Sequence, residues 1–85
     1  MRWIIEAKHV KCYEIWIKFN DGAEGVVDLE STIAYDHREI FRELKDENKF
    51  KCFRVDADTI VWENGLDLAP EYLYDLTLKT LKKAS

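Results

Sequence analysis

Glycine, proline, cysteine and histidine are all scarce here: three, one, two and two of 85 residues. Each shortage removes a class of chemistry. Three scattered glycines cannot form a glycine-rich phosphate loop, and there is no nucleophile-elbow motif. Two histidines leave little for acid–base work, so the chain is not expected to be an enzyme. Cys12 and Cys52 lie far apart in or beside predicted strands and read as buried or half-buried free thiols of a cytoplasmic protein. A disulfide between them would need neighbouring strands in register, which spacing alone does not establish. His9-x-x-Cys12 resembles half a zinc site, with His37 and Cys52 as distant candidates, but the paired spacing of such sites is missing. No metal and no cofactor is therefore expected. No apolar run is long enough to span a bilayer, and the N-terminus lacks a signal-peptide layout. Positive charge is also short: thirteen basic against seventeen acidic side chains give a net charge of −4. That balance offers no general attraction to nucleic acid or anionic lipid.

Apolar and aromatic residues are plentiful. A hydrophobic fraction of 47%, with three Trp, four Tyr and four Phe, describes a folded globule rather than a disordered tail. The length fits one domain over residues 1–85, burying roughly 60–65% of its unfolded surface. Its stability margin should then be a few kcal/mol.

Residues 59–74 organise the rest. Thr59 to Trp62 is β-branched and aromatic, as a half-buried strand requires, and the strand runs to Glu63. Asn64-Gly65 is a strong turn signal. Leu66, Asp67 and Leu68 alternate as a short extended piece, and Pro70 suits the first position of a helix. Ala69 is a poor cap, which leaves Asp67 or Glu71 to satisfy the free amides. Leu73, Leu76, Thr77, Thr80 and Leu81 then mark one helix face, closed by Lys79, Lys82 and Lys83.

Earlier, residues 2–10 form a first strand. Tyr13 to Phe19 alternates, with Tyr13, Ile15, Ile17 and Phe19 on one side and Glu14, Trp16 and Lys18 on the other. Asn20-Asp21-Gly22 turns the chain into a return strand over 23–29, where Gly25 marks a bulge or a close approach. A helix follows Tyr35, capped by Asp36 with Glu39 reaching back and Tyr35 stapled to Ile40. Its stripe is Ile40, Phe41 and Leu44. Residues 46–49 read as a polar loop and 51–55 as a fourth strand. The order β-β-β-α-β-β-α predicts an α+β fold, a mainly antiparallel sheet with helices on one face.

Asp21-Gly22, Gly25-Val26-Val27-Asp28-Leu29 and the run from Trp62 through Asn64, Gly65, Asp67 and Pro70 to Leu73 resemble the bacterial family catalogued as domain of unknown function 2442. The resemblance covers nearly the whole chain and implies a small α+β domain. In that family it makes Asp28, Trp62, Asn64, Gly65 and Pro70 motif residues. Some relatives carry a C-terminal helix-turn-helix, which is not expected after Ser85. The resemblance also implies short stand-alone chains, and hence a regulatory or toxin–antitoxin-like complex reached through a partner. The net charge of −4 and a lysine cluster confined to a helix end argue against direct nucleic-acid contact.

Two surfaces are candidates for partners. Trp16, with Trp3, would make an apolar patch on an open sheet face, suited to a homodimer or a small protein partner, unless a helix covers it. An exposed strand edge is a further route to self-association. Six acids and no base lie between Val55 and Leu78, among them Asp67, Glu71 and Asp75. They read as caps and a solvated face, as a docking patch for a basic partner, or as a divalent-cation site. Trp62 is either core, needing a partner for its indole N–H, or an interface anchor.

Overall fold

Alternation along residues 14–19 decides the architecture. The computed structural model describes residues 2–35 and 39–84, with side chains over 2–35 and 41–78. There the segment is the central strand β2 (Glu14–Phe19) of a three-stranded antiparallel sheet, flanked by β1 (Ile4–Lys11) and β3 (Glu24–Asp28). Ile15, Ile17 and Phe19 are fully buried, while Glu14, Trp16 and Lys18 stay half-buried on the opposite face. Burying side chains of this size contributes about 1.5–3 kcal/mol each. One face of β2 is core and the other is not.

The β2–β3 corner is a three-residue loop, Asn20-Asp21-Gly22. Gly22, at φ +91°, donates its N–H to the Phe19 carbonyl at 3.0 Å, and Phe19 N–H reaches Ala23 O at 2.8 Å. Gly25 marks a close approach and not a bulge, since the β2–β3 register runs through it unbroken. A Cβ there would lie 3.0 Å from Thr77 Cγ2.

Between the sheets the helical segment is longer and more broken than the sequence pattern predicts. It starts directly after β3 with α1 (Glu30–Tyr35), which the periodicity reading leaves unassigned. Asp28 is the reason: its Oδ1 accepts Glu30 N–H at 2.9 Å, and Ile33 N–H then bonds Leu29 O at 3.0 Å. The predicted cap at Asp36, and His37, lie outside the described residues, as do the side chains of Glu39 and Ile40. Tyr35 itself is 83% exposed. After α2 (Glu39–Arg42) comes a 3-10 turn over Glu43–Lys45. The expected polar loop is instead a one-turn helix, α3 (Glu47–Phe50). Asp46 caps it by accepting Asn48 N–H at 3.0 Å, which drives Phe50 into the core. Phe41 and Leu44 are buried as the stripe predicts.

A two-stranded sheet follows, β4 (Phe53–Asp56) with β5 (Thr59–Trp62). Its two-residue turn holds Ala57 and Asp58 at φ +50° and +70°, and Asp58 O accepts Ile4 N–H at 2.9 Å, tying the turn to β1. Past the Asn64-Gly65 corner, Asp67 makes an antiparallel bridge to Val61, and the Thr59 hydroxyl donates to Leu68 O. Pro70 opens α4 (Pro70–Ala84), whose first turn closes on Ala69 O through Leu73 N–H. Leu73 and Thr77 are fully buried, and Tyr74 meets Phe19 edge-on at 5.0 Å. The side chains of Lys79, Thr80, Leu81, Lys82 and Lys83 lie outside those described. The fold is α+β in the order β-β-β-α-β-β-α, its middle helical segment split into short pieces around one continuous core.

Candidate functional site

Period two places Trp16 on the face of the three-stranded sheet opposite α4. The strand register arranges that face in three rows: Glu6–Lys18–Glu24, Lys8–Trp16–Val26 and Lys11–Glu14–Asp28. Lys8 Nζ stands 5.8 Å from the centre of the Trp16 ring and 3.5 Å from Glu6. Glu6, Lys8, Lys11, Glu24 and Asp28 are exposed, and Trp16 and Val26 are half-buried between them. Charged groups on this scale face water, and α4 packs against the other side through Gly25 and Phe19. Among the described elements no helix covers the Trp16 face.

Trp3 is 40% exposed but not beside Trp16. Its N–H bonds Asn20 Oδ1 at 2.9 Å and its carbonyl accepts Asn20 N–H, extending the ladder. That position lies about 13 Å along the strand from Trp16, with the Glu6–Lys18–Glu24 row between them. The two rings therefore do not join into the single apolar patch expected. A register shift between Ile4 and Glu6 contributes, and it leaves Ile5 half exposed.

Asp67, Glu71 and Asp75 are all exposed. Glu71 and Asp75 share a face of α4 with Leu78, 38% exposed, by helical spacing. The remaining acids of the run are dispersed: Asp56 pairs with Arg54 at 3.6 Å, Asp58 sits in the β4–β5 turn, and Glu63 lines a cleft. That cleft, of about 350 Å³, is floored by Leu44 and Trp62 and ringed by Glu43, Lys49, Glu63 and Asn64. Asn64 Nδ2 donates to Glu43 Oε2 at 3.0 Å across its mouth.

Trp62 is core. It is 1% exposed, packs against Phe50 and Phe53, and donates its indole N–H to Phe50 O at 2.7 Å. Gly65 takes φ +89° and donates to Trp62 O, while Asn64 Oδ1 accepts Leu66 N–H. Asp28, Asn64, Gly65 and Pro70 are thus a cap, a corner and a helix start. The motif positions build the fold.

Both cysteines are exposed free thiols, contrary to the buried or half-buried reading. Cys12 occupies the β1–β2 turn at φ +46°, and Cys52 follows α3 with its thiol donating to Asn48 O at 3.2 Å. Turn positions project side chains outward, whatever their hydrophobicity. His9 bonds the Cys12 carbonyl through Nε2 at 2.8 Å, not its sulfur, and no metal-ligating cluster forms among the described residues.

Among the described residues, Asp21 is the carboxylate whose surroundings shift its titration. Asp21 is held below the ordinary carboxylate value, first by the Ala23 N–H on its Oδ1 and then by the Tyr74 hydroxyl on Oδ2. Arg2 adds a weaker attraction at 3.7 Å while lying over the Tyr74 ring. This pins the first corner to α4.

Sequence pattern alone places Trp16 between Glu14 and Lys18 on one strand face but misses Lys8 and Val26 as its neighbours across the sheet. Which side chains flank it across the strands depends on register, which no local signal encodes. What these elements define is a small α+β domain of two glycine-cornered hairpins closed by a proline-led helix. The chain belongs to the family described as Protein of unknown function (DUF2442), which matches residues 4–77. No curated protein and no solved structure matches it. Among the described residues no helix is long and apolar enough to cross a membrane.

Proposed function

We propose that the protein is a non-catalytic interaction module that binds another protein through the outer face of its three-stranded sheet. The supporting observation is the placement of Trp16: a large half-buried aromatic at the centre of a face that is charged apart from Val26 and that none of the described helices covers. A tryptophan ringed by charge has the anatomy of a binding anchor with a polar rim. Trp16→Ala should abolish capture of a bound protein from native lysate while the circular dichroism spectrum stays unchanged. Equal capture by wild type and variant would remove the proposal.

The exposed line of Glu71, Asp75 and Leu78 along α4 favours a second reading, docking of a small basic partner. Under it, Glu71→Lys combined with Asp75→Lys abolishes capture and Trp16→Ala does not.

A further inference from the structure

Building on the reading of the Trp16 face as an interaction surface, we infer that its partner is a second copy of this chain, packed face to face. The two-fold axis runs across the strands along the Lys8–Trp16–Val26 row. Charge order on the face selects this arrangement. Rotation about that axis exchanges the two outer rows while each strand faces its own counterpart. Glu6 then meets the partner copy's Lys11, and Glu14 meets its Lys18, each contact occurring twice by symmetry. Trp16 meets Trp16 at the centre with Val26 beside it. Lys8 lies next to both rings, extending the cation–aromatic contact it already makes at 5.8 Å.

The other in-plane two-fold axis, running along the strands, fails on the same charges. It would set Glu6 against Glu24 twice, Glu14 against Glu14 and Lys18 against Lys18. These are four repulsions against the two attractions of Lys11 with Asp28, whereas the axis across the strands makes four attractions. Opposed like charges across sheet contacts are destabilising. Across the strands, the like-charge contacts are Glu24 with Asp28 at the β3 rim, where water screens them, and Lys8 with Lys8 beside the rings. The face measures roughly 15 by 20 Å from strand spacing and rise. That is small for a stable interface, so the pair exchanges with monomer at micromolar to millimolar concentration.

Sedimentation of the full chain from about 10 µM to about 1 mM tests this. Wild type should dimerise with concentration, and Trp16→Ala should remain monomeric. Lys18→Glu and Glu14→Lys alone should each weaken the dimer about tenfold, by turning two attractions into repulsions. The double variant should recover it, because the swapped charges face one another again. Circular dichroism on every variant separates weakened pairing from unfolding. A wild type monomeric throughout overturns the second-copy assignment, while lysate capture that depends on Trp16 would still uphold the interaction module. Dimers that Trp16→Ala leaves intact overturn the use of this face. Dimers indifferent to both single reversals overturn the axis.

Discussion

The two glycine corners are the same structure built twice. Phe19-Asn20-Asp21-Gly22-Ala23 and Trp62-Glu63-Asn64-Gly65-Leu66 both start on a buried aromatic and place glycine fourth, at φ +91° and +89°. In each, the glycine N–H returns to the aromatic carbonyl, and the aromatic N–H reaches the fifth residue. In each, the Asx side chain accepts the fifth residue's N–H at 3.0 Å. What differs is the tether. Asp21 ties its corner to Tyr74 of α4 and to Arg2, whereas Asn64 ties its corner to Glu43 of the 3-10 turn. A shared backbone solution therefore serves two long-range tasks, and the third residue of the five, Asp21 or Asn64, chooses between them. A carboxylate accepts only, and an amide both accepts and donates.

The strongest way to break the equivalence is to forbid the shared backbone. Gly65→Val and Gly22→Val should each destabilise by about 1–3 kcal/mol in chemical denaturation, since a β-branched residue resists positive φ. Equal losses would mean local strain is the whole effect. A larger loss at Gly65 would measure what that corner adds by aiming Leu66 and Leu68 inward, and no loss at either would remove the corner assignment.

Next comes the strand leaving the first corner. Gly25→Ala should destabilise by about 1–2 kcal/mol through contact with Thr77 Cγ2. Thr77→Ser deletes that methyl and keeps the hydroxyl that donates to Leu73 O. The double variant should recover most of the loss, and strict additivity would show that the two side chains do not meet.

A third corner lacks glycine altogether. Ala57 and Asp58 both sit at positive φ in the β4–β5 turn, where Asn-Gly is the preferred pair. Ala57→Asn with Asp58→Gly should therefore stabilise by about 1 kcal/mol. Unchanged or lowered denaturation midpoints would show that this turn carries no removable strain.

The smallest effect separates the tethers themselves. Asp21 titrates below its ordinary value of 3.8 because its ionised form accepts Ala23 N–H and the Tyr74 hydroxyl. Its contribution is thus present above that pH and lost as pH falls through the lower folded value. Asn64 has nothing to titrate. Tyr74→Phe should raise the Asp21 value towards the ordinary one in an NMR titration, and a value that stays put would detach Tyr74 from the corner.

Both corners were readable from their Asx-Gly pairs, as were the alternation of β2 and the helix opening at Pro70. Each of these signals is local. The short helices were harder: α1 is written Glu-Ser-Thr-Ile-Ala-Tyr, too brief and too β-branched for periodicity, and only the Asp28 cap announces it. Helix α3 is a single turn held by Asp46 and by Phe50 docking, a tertiary cause. The outward direction of Trp16 follows from period two. So do the Glu14 and Lys18 charges on either side of it, whereas its distance from Trp3 and the charges on β1 and β3 follow from pairing register, which emerges only once strands meet. Cys12 and Cys52 lie exposed because Cys12 sits in a turn and Cys52 in the link between α3 and β4, so neither falls on the inward face of a strand.

The three tryptophans sit at three depths: Trp62 sealed against Phe50, Trp16 half in, Trp3 at the rim. The domain thus carries its own optical gauge. Sealed indole emits at shorter wavelength and is shielded from iodide, while rim indole is quenched freely, so one emission spectrum can follow core integrity and outer-face occupancy in the same cuvette.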